Sequence, residues 1–281
     1  MRRLHALVLA AIGATLLSGA VITARAEVSE ADQQTLRTEY VGKVLIFRKS
    51  VRMAANLEYA PDGTLKGDHE PGFWSVDGAV QAKDISFGKD QVTFKCAKLW
   101  ANVKPDGQLH YFPASVALKG KSDDYPEAVN ITFRTEKGAV SAAEFKQLVQ
   151  KVFLGPNESM LTSAPPPISA FIQKASTQMD IDPVTGMGFS GTPPKPLEDP
   201  MPKPSREAQL VGQAGRESFI VYVDDQGRAA VLGFTHLLQY GLEETTIEAV
   251  KNWRFQPAMK DGKPVALRIP MSIDYKLPIQ K

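Results

Sequence analysis

Ten of the twenty prolines in this 281-residue chain fall between Pro165 and Pro204, and six of those lie in the twelve residues from Pro193 to Pro204. A run of that density cannot form a helix or a central strand, because each proline removes an amide donor and fixes its own φ. It favours extended polyproline geometry. The chain is therefore expected as two folded regions around a Pro-rich linker. The boundaries are 27–160 for a β-rich N-terminal domain, 161–204 for the linker and 205–281 for a small C-terminal domain. Within the linker, Ile168 to Met179 is expected as a short amphipathic helix, with Ile168, Phe171, Ile172 and Ala175 on one face.

Residues 1–26 have the parts of an export signal. Arg2 and Arg3 precede an uncharged stretch, Leu4 to Ala24, which ends in Ala24-Arg25-Ala26. Cleavage after Ala26 leaves a chain beginning at Glu27 and a periplasmic product. An inner-membrane anchor is the alternative, since the stretch is long enough to span. Without Arg2, Arg3 and Arg25 the balance is 30 Lys+Arg against 31 Asp+Glu, a net charge of −1. No general electrostatic case for nucleic acid or an anionic membrane follows from that. A single cysteine, Cys96, excludes an internal disulfide framework. Its place between Val92, Phe94 and the polar Thr93 and Lys95 assigns it to a buried strand face.

The N-terminal domain is predicted as a mostly antiparallel sheet with a helix at each end. Ser29 caps the first helix, with Ala31, Leu36 and Tyr40 on its packed side. Val44-Leu45-Ile46-Phe47 reads as a buried strand. Turns are expected at Pro61-Asp62-Gly63, Asp77-Gly78 and Pro105-Asp106-Gly107. Ser141-Ala-Ala-Glu144 has capping-box spacing and opens a helix with Phe145, Leu148, Val149 and Val152 on one stripe.

The C-terminal region reads strand–strand–helix–strand. Phe219 to Asp224 is a strand, Asp224-Asp-Gln-Gly227 a hairpin turn, and Arg228 to Phe234 the return, with Ala230, Leu232 and Phe234 alternating. Leu242 to Phe255 reads as a helix with Thr246, Ala249, Val250 and Trp253 on one face. Glu243 and Glu244 at its start and Lys251 and Arg254 at its end complement the helix dipole. Pro257 stops it, and Asp261-Gly262 makes a turn. In the last strand Val265, Leu267, Ile269, Met271, Ile273, Tyr275 and Leu277 alternate with Ala266, Arg268, Pro270, Ser272, Asp274 and Lys276. Pro270 marks this strand as an edge. The fold class is α+β, the C-terminal part being a three-stranded antiparallel sheet backed by a helix.

That order and its residues resemble the C-terminal domain of TonB-family proteins. Ala249-Val-Lys-Asn-Trp-Arg-Phe-Gln-Pro-Ala258 carries the resemblance, with Lys260-Asp-Gly-Lys-Pro-Val265 and the turn Asp224-x-x-Gly227. The family's opening Tyr-Pro-x-x-Ala helix is replaced by Pro204-Ser-Arg-Glu-Ala208. The resemblance implies a non-catalytic interaction module that grips the TonB box of an outer-membrane transporter by strand addition. Three departures argue against coupling to the ExbB/ExbD motor: the cleavable leader, His5 at the extreme edge of the apolar stretch, and the short linker with a folded domain before it. A homodimer through the same strand is the alternative use. The expected contact residues are Arg268, Ile269, Met271, Ser272, Ile273, Asp274, Tyr275 and Lys276. Trp253, Phe255 and Pro257 are family-motif residues expected in the core.

Other patterns carry less. Gly186-Met-Gly188-Phe-Ser-Gly191 matches a dinucleotide fingerprint, but Asp182-Pro183 before it and Thr192-Pro193-Pro194 after it deny the strand–helix context. His69, His110 and His236 have no ligand spacing, so no metal, cofactor or catalytic residue is assigned. Lys43, Arg48, Lys49 and Arg52 flank an apolar strand, and Phe73, Trp74 and Trp100 supply aromatics. Together they leave a cell-wall or lipid ligand in the N-terminal domain as a second reading, with the C-terminal domain as tether.

Overall fold

The computed structural model describes residues 28–52, 55–104, 106–118, 125–135, 140–177 and 189–276. Residues 1–26, expected as an export signal, lie outside them, as do Gly186 to Gly188 and Leu277.

In the N-terminal region the chain runs α1 (Glu30–Tyr40), β1 (Val44–Ile46), β2 (Asn56–Tyr59), α2 (Trp74–Asp77), β3 (Ala79–Phe87), β4 (Gln91–Val103), β5 (Leu109–Pro113), α3 (Ala114–Leu118), β6 (Ala128–Arg134) and α4 (Ala142–Val152). The strands form one sheet in the order β1-β3-β4-β6-β2, and β5 pairs with the C-terminal half of β4. All pairs are antiparallel except β2 with β6. Helices α1 and α4 cover one face of this sheet. Ser29 caps α1 by accepting from the Asp32 amide at 3.1 Å. Of its expected packed side Leu36 and Tyr40 are buried, whereas Ala31 is exposed. The Ser141–Glu144 box caps α4 reciprocally, and Phe145, Leu148, Val149 and Val152 are all buried. Val92, Phe94 and Cys96 face the same core, where burial pushes the Cys96 thiol up to about 12.

The second half of β4 departs from simple alternation. Lys98, Leu99, Trp100 and Ala101 are all buried in succession. This stretch is covered on both faces, because Ala101 and Val103 pack with the C-terminal region while Trp100 packs among Val76, Leu118 and Tyr125.

In its described parts the Pro-rich stretch is docked on the folded regions, its helix by packing and residues 192–198 by backbone pairing while largely exposed. After a 3₁₀ turn at Met160–Thr162 comes α5 (Pro166–Thr177). Pro166 and Pro167 occupy its first turn, where the missing amides have no helical partner anyway. Ile168 and Ile172 are buried and Phe171 half-buried, against the C-terminal region. Further on, β7 (Lys195–Glu198) pairs with a later strand, and Thr192 exchanges two backbone hydrogen bonds with Met259 at 2.8 and 2.9 Å. Pro196 is compatible with β7 because that strand has one neighbour.

The C-terminal region comprises α6 (Arg206–Val211), β8 (Gly215–Val223), β9 (Ala229–His236), α7 (Leu242–Lys251), β10 (Arg254–Gln256), β11 (Ala258–Lys260), β12 (Lys263–Val265) and β13 (Leu267–Tyr275). The main sheet has the order β13-β8-β9 and is antiparallel throughout. Three sequence expectations are corrected. Helix α7 ends at Lys251, not Phe255, because Arg254–Gln256 is taken up as β10 by β7. The buried residues of β9 are Ala229, Val231 and Phe234, with Ala230 and Leu232 outward, because register shifts between Ser218/Phe219 and Ile220/Val221 change the phase. Val265 belongs to the β11–β12 hairpin, whose turn is Asp261-Gly262 with φ of +50° and +75°. The last strand therefore starts at Leu267.

The two family motifs meet in space. The Phe255 amide donates to the Gly227 carbonyl at 2.9 Å, and a Cβ on Gly227 would lie 1.9 Å from the Phe255 oxygen. Gly227, at φ +76°, is required both by the turn and by this contact.

Candidate strand-addition site

Strand β13 has β8 on one side, and among the described residues no strand pairs with its other side. At the opposite end of the sheet, β9 is packed by α5. The sheet is thus unequal at its two edges, and β13 is the accessible one.

Pleating sorts the eight expected contact residues into two groups. Arg268, Ser272, Asp274 and Lys276 are exposed. Ile273 and Tyr275 are buried and Ile269 and Met271 half-buried, all against the core, so their side chains are withheld from a partner. Arg216 donates to both Asp274 oxygens at 2.8 Å, and this hydrogen-bonded pair holds the Asp274 carboxyl below its usual value. Burial raises the Tyr275 phenol, which hydrogen-bonds Thr245 and Thr246 at 2.8 Å and donates to the Leu242 carbonyl at 3.2 Å. These bonds anchor the end of the edge strand to α7.

A groove of about 490 Å³ runs beside Ser272 to Lys276, with Met201, Pro202 and Pro204 as its far wall. The wall is the end of the Pro-rich stretch. It is held by the β7–β10 pairing and by the Trp253 indole, whose N–H donates to the Pro200 carbonyl at 3.1 Å. Trp253 and Phe255 are themselves 2% and 3% exposed, while Pro257 is half-buried. The motif tryptophan therefore reaches the site through the strap it fastens. Nothing in the local sequence announces that contact, since Pro200 precedes Trp253 by more than fifty residues.

Sequence reasoning also missed a group of three mutually interacting buried glutamates. Glu217 is fully buried and accepts from the Thr246 hydroxyl. Burial, with Glu243 and Glu244 nearby, pushes its carboxyl well above the usual carboxylate range. Glu243 accepts from the Gln239 amide at 2.6 Å and is raised by burial and then by Glu244. Glu244 accepts from the Ser75 amide and hydroxyl at 3.1 and 3.0 Å and is raised by burial. Glu243 and Glu244 were expected at the helix start, complementing its dipole; they do open α7, and the packed N-terminal region buries them there. Perturbed carboxyls of this kind often mark active sites. Here the cavity touching Glu243 and Ser75 measures about 10 Å³, room for about one water and no substrate.

A second polar cluster fastens the same junction. Arg52 pairs with Asp77 at 2.9 Å and Glu207 at 3.2 Å, and lies over the Phe73 ring at 4.6 Å. Burial lowers Lys98 to about 8. Trp74 and Trp100 are 3% and 0% exposed, so they are packing residues, and the cavity beside Trp74 measures only about 10 Å³. His69, His110 and His236 stay apart, and among the described residues no group of three His, Cys, Asp or Glu is placed to hold a metal. No helix among the described residues is long and apolar enough to cross a membrane.

By fold and site the C-terminal unit is a small α+β domain presenting one open strand edge. Residues 202–277 match the family model for the Gram-negative bacterial TonB protein C-terminal. The resemblance carried by the Trp253 motif is thus shown for this segment, and it is consistent with a protein-interaction module. A solution NMR structure of the Pseudomonas aeruginosa TonB C-terminal domain is 25% identical, covering 33% of this chain and 95% of that one, with a TM-score of 0.26. No curated protein matches the chain.

Proposed function

We propose that this protein is a TonB-like periplasmic interaction module that captures an extended partner segment along β13. The open edge of β13, with a groove walled by Met201 to Pro204, is the observation that carries this reading. An unpaired edge offers amide and carbonyl groups that an incoming strand completes. Pro270 indicates which groups these are. A proline sits in a paired strand without loss when its nitrogen faces away from the neighbour. Alternation then turns the backbone groups of Arg268, Ser272 and Asp274 to the open side as well. The groove flanks five residues, Ser272 to Lys276, about 17 Å of strand at roughly 3.3 Å per residue. The partner is an outer-membrane transporter segment, and a second copy of this chain is the competing occupant.

The test is site-specific photo-crosslinking from Lys276, which is exposed beside the groove, in the full chain expressed in a Gram-negative host. A partner linked at Lys276, and lost when Arg268→Pro/Ser272→Pro is added in a variant that still folds, supports strand addition. Undiminished linking in that variant sinks the mechanism, and self-linking makes the strand a dimer interface. The N-terminal residue and membrane partition of the product decide separately between a cleaved periplasmic protein and an inner-membrane anchor.

A further inference from the structure

The N-terminal region carries a cleft remote in sequence from β13. It lies between the loop after β2, the end of α4 and the residues following β1, and encloses about 440 Å³. Its floor is apolar: Val51, Tyr59 and Val152 are buried and Leu65 is half-buried. Its rim carries the cations Arg48, Lys49 and Lys151 together with His69, and no carboxylate lines it.

The four rim groups are not equivalent. Both Arg48 terminal nitrogens are engaged by Glu158, and its Nε donates to the Gln150 carbonyl at 2.6 Å. That fork shapes the wall and is already neutralised. His69 Nε2 is hydrogen-bonded to the Lys66 carbonyl at 2.9 Å. Among the described residues neither Lys49 nor Lys151 forms a salt bridge, though Asp62 lies close enough to Lys151 to feel its charge. The cleft thus pairs two ammonium groups outside any salt bridge with an apolar floor. A planar carboxylate is best matched by a free guanidinium fork, which is absent here, whereas lysine acts as a point charge suited to a tetrahedral anion.

We propose that this cleft binds a phosphate-bearing amphiphile, with the phosphate between Lys49 and Lys151 and the apolar body against Leu65 and Val51. The net charge of the chain does not bear on this, because the site is local. The phosphate has two possible sources, a lipid headgroup in a bilayer or a soluble phosphorylated molecule.

The experiment uses the full chain with three probes: phosphatidylglycerol/phosphatidylcholine vesicles, monomeric dihexanoyl-phosphatidylglycerol, and inorganic phosphate. Flotation reads the first and calorimetry the others. Each lysine near an anionic headgroup is worth about a fivefold factor, so Lys49→Gln/Lys151→Gln is expected to weaken binding about twenty-five-fold. Lys260→Gln/Lys263→Gln, on the distant β11–β12 hairpin, is expected to change nothing. Lysine-dependent vesicle binding identifies a bilayer source. Lysine-dependent binding of the monomer without vesicle binding identifies a soluble one. The proposal is overturned if neither lipid probe binds, if the double variant binds as well as wild type, or if inorganic phosphate binds as tightly as the monomer.

Discussion

The two ends of the molecule bury different chemistry. The core under α1 and α4 is apolar, with Phe94, Phe133 and Phe145 in mutual contact at centroid distances of 5.5 to 5.8 Å. The core under β8, β9 and β13 is shared with β4 and α5 and is bordered by Glu217, Glu243 and Glu244. Apolar packing is indifferent to pH, whereas a buried carboxyl is not. The first core belongs to one sheet, but the second belongs to a junction, and the junction is where the acids lie.

The sharpest way to break this comparison is Phe133→Ala, a cavity at the centre of the apolar core, expected to cost about 4 kcal/mol. Because Ala101, Val103 and Trp74 tie the two cores together, the expected thermal scan shows one cooperative transition at lower Tm. Two separate transitions would mean that the junction does not couple the regions.

The next effect is pH-dependent. With their folded pKa values raised above the ordinary 4.5, the glutamates bind more protons folded than unfolded. Stability is therefore greatest below that value and falls as pH rises through the raised values. The groups facing Glu217 are Thr246, Tyr275, Glu243 and Glu244. Glu217→Gln is expected to flatten the profile and to stabilise the protein at pH 8 by on the order of 2 kcal/mol. Denaturant midpoints at pH 5 and pH 8 check it; an unchanged pH slope would place the acid dependence elsewhere.

Smaller effects sharpen the contrast. Ser75→Ala removes one of two hydrogen bonds to Glu244 and is expected to cost about 1 kcal/mol, measured by denaturant midpoint. Asp274→Asn breaks the exposed pair with Arg216 and is expected to leave Tm unchanged. A clear Tm loss there would show that the open edge is structurally committed and not held free for a partner.

Much of this was legible in residues alone. The Ser141–Glu144 cap, the Val92–Phe94–Cys96 face, the Asp224-x-x-Gly227 turn and the Pro270 edge are local patterns, each specified within a few positions. The β9 phase was missed because a bulge leaves no periodic trace. The end of α7 was missed because Arg254–Gln256 becomes strand only when β7 is beside it.

By itself, then, the sequence determined most of the helices and strands, the turns and the resemblance of residues 202–277 to a family model, since these depend on neighbours along the chain. Tertiary structure alone decided three things. It docked the Pro-rich stretch as a wall beside β13, drew Glu217, Glu243 and Glu244 out of water, and gathered Arg48, Lys49, His69 and Lys151 around one cleft. Each of these requires groups dozens of residues apart to share a low-dielectric or concave site, which periodicity and propensity do not encode.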